Sequence, residues 1–167
     1  MKTLQTGINL IKHYEGLHDG NLKKIGLQPK MCPAGVWTIG WGYALVNKKT
    51  GKFLKGKQDY PLIAEQYPQF TDITIEQADR LLDEVLLKYE AIVNRKLKVE
   101  VTQNRYDALV SHTYNTGGSD MLFRLVNEGR LTEAARWIET RYTTSEGKVL
   151  PGLVKRRKAE SLLFLKP

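Results

Sequence analysis

The chain has 167 residues, 41% of them hydrophobic, enough for one domain of no more than one or two lobes around a real core. Twenty-six Lys and Arg against eighteen Asp and Glu leave a charge of +8, which suits polyanions such as nucleic acid, anionic envelope polymers or membrane headgroups without choosing among them. A single cysteine excludes an internal disulfide, and no run of about 18 apolar residues offers a membrane span.

The first segment, MKTLQTGINLIKHYEG, carries one early lysine and spaced apolar residues rather than the continuous apolar core of a secretory signal, so synthesis as a soluble cytoplasmic protein is expected. Leu4, Ile8, Ile11 and Tyr14 recur at spacings of three and four, which predicts a short amphipathic helix ended by Gly16 just past Glu15. Residues 16–33 are rich in Gly, Asp, Asn, Lys and Pro and read as a loop that leaves room for a short strand. VWTIGWGY, continuing towards NKKTGKF, predicts a hairpin or small sheet over about 36–54.

Thr74 in TIEQ fits an N-cap with a glutamine three positions on, opening a long helix over 74–94. Thr102, Ser119 and Thr132 then open three shorter helices, the first two stopped by Gly117-Gly118 and Gly129. A Gly/Ser/Thr/Pro loop over 143–152 precedes a last helix, LVKRRKAESLLFL. The expected fold is α+β: a small mixed lobe over about 14–73 with a β-hairpin or sheet, a larger helical lobe of 1–13 and 95–167, and the long helix joining them within one domain. A cleft between the lobes is the expected ligand site.

Cleavage of a glycosidic bond needs a carboxylic acid that still holds its proton and a second group across the sugar ring. Glu15 would end a helix, where the negative end of the macrodipole disfavours ionisation of a carboxylate. From this feature alone, a plain solvated glutamate at a helix end is the favoured reading. Strand alternation puts Val36, Thr38, Gly40 and Gly42 on one nearly bare face and Trp37, Ile39, Trp41 and Tyr43 on a bulky one. A hydroxyl beside two glycines leaves room for a sugar ring and can hold a water; an ordinary strand threonine with glycines at a bulge explains the same pattern.

The combination Glu15-Gly16, Cys32, five residues, then Thr38-Ile39-Gly40-Trp41-Gly42 resembles the active-site signature of the phage-type lysozymes, the endolysins of glycoside hydrolase family twenty-four. The resemblance extends through ALVSHTYNTGG (108–118), EAARWI (133–138) and GLVKRRKAESLLF (152–164). It implies a lysozyme-like fold and a glycosidase that cuts the β-1,4 bond between N-acetylmuramic acid and N-acetylglucosamine in bacterial peptidoglycan. By the same resemblance Glu15 is the proton donor, Thr38 holds the attacking water or substrate, Asn115 faces the cleft, and Arg156 or Arg157 supports the Glu15 region. Gly40, Gly42 and Tyr43 complete the implied substrate-binding set.

Three features depart from the family pattern. The spacer of sixteen residues between Glu15 and Cys32 is enlarged, Tyr43 stands where a histidine is common, and Cys32 stands where many members have aspartate. A thiol is a poor base near neutral pH unless positive charge, here Lys30 or Lys24, favours the thiolate. Cys32 then activates water or attacks the sugar; otherwise it shapes the pocket. Asp19 is the only carboxylate in the enlarged loop able to substitute.

His13, His18 and His112 form no metal-binding pattern, and no phosphate-binding loop is present, so no metal or cofactor is expected. VKRRK in the last helix reads as a solvated basic face rather than a nucleic-acid site. The resemblance further implies a monomer without stable membrane insertion, released to the wall by a separate holin. Two rival activities stay open: a lytic transglycosylase on the same substrate, and a non-enzymatic polyanion-binding module.

Overall fold

The computed structural model describes every residue except Leu22, Lys24, Ile25 and Glu146. In chain order it contains helix α1 (Gln5–Glu15), strands β1 (Lys30–Met31), β2 (Trp37–Ile39) and β3 (Tyr43–Ala44), and helices α2 (Tyr60–Gln66) and α3 (Ile75–Lys96). Helices α4 (Gln103–Thr116), α5 (Asp120–Asn127) and α6 (Leu131–Thr140), strands β4 (Thr144–Ser145) and β5 (Lys148–Val149), and helix α7 (Pro151–Leu165) complete it. Short 3₁₀ turns at Lys57–Asp59 and Pro68–Phe70 flank α2. The chain divides into two compact units, Glu15–Val85 on one hand and Met1–Tyr14 with Leu86–Pro167 on the other. Among the described residues no helix is long and apolar enough to cross a membrane.

In the first unit, β1, β2 and β3 form an antiparallel sheet in that order, with Lys30 opposite Thr38 and Ile39 opposite Tyr43. VWTIGWGY is thus two strands rather than one. Gly40 and Gly42 take φ of +59° and +87°, conformations that end the pleat after Ile39 and turn the chain into β3. The core gathers Ile39, Leu45, Leu54, Ile63, Ile73 and Ala78, all nearly sealed from solvent. Helix α3 opens with a reciprocal capping box: the Thr74 amide donates to Gln77 Oε1 at 2.8 Å, and the Gln77 amide to Thr74 Oγ1 at 3.2 Å.

In the second unit, α4 and α6 pack against α7, and α5 against α6. Helix α4 has Thr102 as N-cap and stops at Gly117 with φ +81°, as its sequence predicts. Two starts differ from expectation. Thr132 lies inside α6, whose N-cap is Arg130, and Arg130 reaches back to Glu133 at 2.7 and 2.8 Å. Helix α7 begins two residues early because Pro151 sits in its first turn, where a missing N–H costs nothing. The expected stripe of α1 is also narrower. Ile11 is buried, but Leu4 precedes the helix and is exposed. Asp107 of α4 anchors that end instead, its carboxylate accepting from the Leu4 amide at 3.1 Å and the Gly7 amide at 3.2 Å.

Candidate active site

Glu15 is the last residue of α1, and Gly16 follows with φ +69°, a left-handed stop that most side chains disfavour. The chain then turns so that His18 meets the sheet. The His18 amide donates to the Gly40 carbonyl at 2.7 Å, and its ring Nδ1 lies 3.3 Å from the same oxygen. A carbonyl only accepts, so Nδ1 carries the ring proton.

Cys32 follows β1 and opens a tight turn. Its amide donates to the Val36 carbonyl at 2.8 Å, and the Gly35 amide donates back to the Cys32 carbonyl at 2.8 Å. The thiol is free and half-buried. Glu15, His18, Lys30 and Cys32 line one groove of about 390 Å³, with Leu17 and Met31 as its apolar contribution. Residues that carry a carboxyl, an imidazole, an ammonium and a thiol therefore line one small groove. Lys24, the other lysine expected beside Cys32, lies outside the described residues. Asp19 is not part of this lining. Its Oδ1 accepts from the Asn21 amide at 3.0 Å and the Gln28 amide at 3.2 Å, which ties the enlarged loop to itself.

Thr38 lies on the middle strand of the sheet. It is 5% exposed on β2, outside the groove lining, and its hydroxyl donates to the Lys30 carbonyl at 2.9 Å. That bond braces β1 and leaves the hydroxyl oxygen its acceptor lone pairs. Gly40 is likewise explained by packing, because a Cβ there would stand 2.9 Å from the Ala78 methyl of α3. The room expected for a sugar ring at that position is taken by the helix. Gly42 is half-buried in the turn that follows. Tyr43 is turned inward, its ring edge-on to Phe70 with centroids 5.8 Å apart, and burial raises its phenol above the usual range.

Asn115 lies in the other unit, exposed near the end of α4. Arg156 and Arg157 of α7 are almost fully buried around Glu160. Arg156 Nε lies 3.1 Å and Arg157 NH2 2.9 Å from Glu160 Oε1, and the Ser111 hydroxyl donates to that oxygen at 2.7 Å. The basic face expected of VKRRK thus keeps only Lys155 and Lys158 outside. His18 has the ordinary hydrogen-bonding role expected of it, through the Gly40 carbonyl. Among the described residues no cluster of His, Cys, Asp and Glu could hold a metal ion.

The phage lysozyme family model matches residues 14–160. An endolysin of Bacillus phage PZA is 36% identical over 98% of this chain, which covers 55% of that protein. The chain thus spans about half the length of such Bacillus phage relatives. An endolysin of Acyrthosiphon pisum secondary endosymbiont phage 1 is 32% identical, with 98% of both chains covered. Among solved structures, the muramidase domain of SpmX from Asticaccaulis excentricus superposes with a TM-score of 0.72 at 33% identity, covering 99% of each chain. The fold is lysozyme-like.

Proposed function

The chain belongs to the phage lysozyme family, and from that premise we propose that it is a peptidoglycan hydrolase, a muramidase with Glu15 as its general acid. The bond cut is the β-1,4 link between N-acetylmuramic acid and N-acetylglucosamine. One observation carries the assignment: the helix-ending Glu15 opens onto the same groove as Cys32, His18 and Lys30.

In this reading Glu15 gives its proton to the bridging oxygen as the bond breaks, and charge grows on the sugar ring. Cys32, in the same groove, is the second group of this reading. It takes a proton from the water that attacks the anomeric carbon, or bonds to that carbon as the bridging oxygen leaves and is then displaced by water. His18 holds the chain after Glu15 onto the sheet through the Gly40 carbonyl, which fixes where the acid points. Thr38 acts as a positioning residue through Lys30. The enzyme works as a monomer, needs no cofactor, and reaches the wall after a separate holin has opened the membrane.

Clearing of a bacterial wall suspension by wild type and by Glu15→Gln tests the reading. Loss of clearing in the variant is expected; equal clearing by both proteins removes Glu15 from the chemistry. Mass spectrometry of the released fragments must show reducing ends, since anhydro-muramyl products would make the protein a transglycosylase.

A further inference from the structure

Helix α7 turns part of its pattern inside out. Arg156, Arg157 and Glu160 are 3% exposed or less, whereas Leu162 and Leu165 stand 56% and 53% exposed. A lone leucine on a surface is ordinary. These two share a groove of about 760 Å³ with Leu163 and with Leu10 of α1, which makes them one apolar surface rather than scattered side chains.

The charge on this face has one sign. Lys155, Lys158, Leu162 and Leu165 recur at spacings of three and four, so they project from one side of α7. Both lysines are exposed, as is Lys166 in the groove lining. Among the described residues none of the three pairs with a carboxylate. Helix α1 has no acidic residue from Gln5 to Tyr14, and Glu160, the one acidic residue of α7, is held in the interior by Arg156 and Arg157. At the far end the Pro167 oxygen accepts from Asn104 Nδ2 at 2.7 Å, which engages that end with α4.

An apolar groove bordered by unpaired ammonium groups fits a surface that offers hydrocarbon and phosphate together. We propose that the α1–α7 face docks on an anionic phospholipid bilayer, with Leu162 and Leu165 below the headgroups and Lys155, Lys158 and Lys166 on the lipid phosphates. A wholly hydrophilic polyanion would leave the leucines in water, and a second copy would bring identical lysine rims together. The dock is peripheral and reversible. It needs no membrane-spanning helix, and none is found among the described residues. It stands apart from the muramidase reading, because neither exposed leucine lines the Glu15 groove.

The test is cosedimentation of the full chain with vesicles of phosphatidylglycerol mixed with phosphatidylcholine, and with vesicles of phosphatidylcholine alone. Binding to the mixed vesicles only is expected. Leu162→Gln combined with Leu165→Gln should weaken it at least about tenfold, and Lys158→Gln about fivefold, the effect of one lysine close to an anionic surface. Lys52→Gln removes the same charge from an exposed position in the other unit and should change binding less than about twofold. All four side chains are exposed, so the variants should fold. On purified wall free of lipid, the leucine pair variant should clear at the wild-type rate, which keeps loss of docking separate from loss of wall cleavage. Absent binding, equal binding to both vesicle types, unaltered affinity in the leucine variant, or equal weakening by Lys158→Gln and Lys52→Gln overturns the proposal. Self-association in sedimentation velocity that the leucine variant abolishes would overturn it too, and would assign the face to a second copy.

Discussion

The Thr38 hydroxyl donates to the Lys30 carbonyl oxygen at 2.9 Å, so the strand that supplies Lys30 and leads to Cys32 is tied from behind by a buried side chain. Thr38→Val keeps the shape and removes the bond, and is expected to cost about 1–2 kcal/mol. Thr38→Ser should retain most of both stability and activity. A brace acts through the position of Cys32, so Thr38→Val should lose activity at 37 °C and regain much of it on cooling. Thermal denaturation and wall-clearing rates at two temperatures check this; a temperature-independent loss would give Thr38 a direct part in the chemistry.

Cys32 stands in the groove with Glu15, and its chemistry is separable from its volume. Cys32→Asp offers a carboxylate in place of the thiol and should keep activity. Cys32→Ala removes the group and should reduce turnover by at least about tenfold. Turnover on purified wall, with melting temperatures alongside, checks both variants. Full activity in Cys32→Ala would make the thiol a packing residue.

Gly40→Ala meets two obstacles at once. The backbone has φ +59°, and the new methyl would lie 2.9 Å from Ala78 Cβ. Left-handed strain and overpacking together should cost about 3 kcal/mol. The paired change Gly40→Ala with Ala78→Gly relieves the contact but not the strain, so it should recover only part of the melting temperature. Complete recovery would show that packing alone fixes this glycine.

What the sequence made legible follows from how local each determinant is. The capping box of α3 lies within four residues, and the end of α1 is written by Gly16 beside Glu15. Helix α2 was not legible. It has seven residues, no side-chain cap and Gln66 among its buried positions, so it lacks the periodic apolar stripe by which longer helices announce themselves. The same contrast holds at the site. Glu15 and Cys32 could be named from a motif, but the Thr38 brace ends on a backbone carbonyl, which no residue-type pattern reveals. Gly40 is decided by Ala78 on another element, and a strand alternation read alone turned that packed glycine into open space.

His112 supplies a pH dependence with a definite sign. Its ring is fully buried on α4, and Thr116 has given its hydroxyl proton to the His112 carbonyl at 2.8 Å, which leaves Thr116 Oγ1 to accept from Nδ1 at 3.3 Å. The proton then sits on Nδ1, and Nε2 is unpartnered among the described residues. Burial first, then the charges of Arg157 and Arg156, push the imidazole down to about 3, so the folded protein holds it neutral. An unfolded histidine protonates near pH 6.5. Between those values the unfolded chain binds one more proton, so this contribution is complete above pH 6.5 and is lost as pH falls towards 3, by on the order of 4 kcal/mol. Glu160 has the opposite sense where its carboxyl is raised by burial, since the folded state then binds the extra proton. The two are separated by comparing unfolding free energies of wild type and His112→Asn from pH 7 to pH 4. The wild-type curve should fall more steeply, and parallel curves would mean that the ring is charged in the fold.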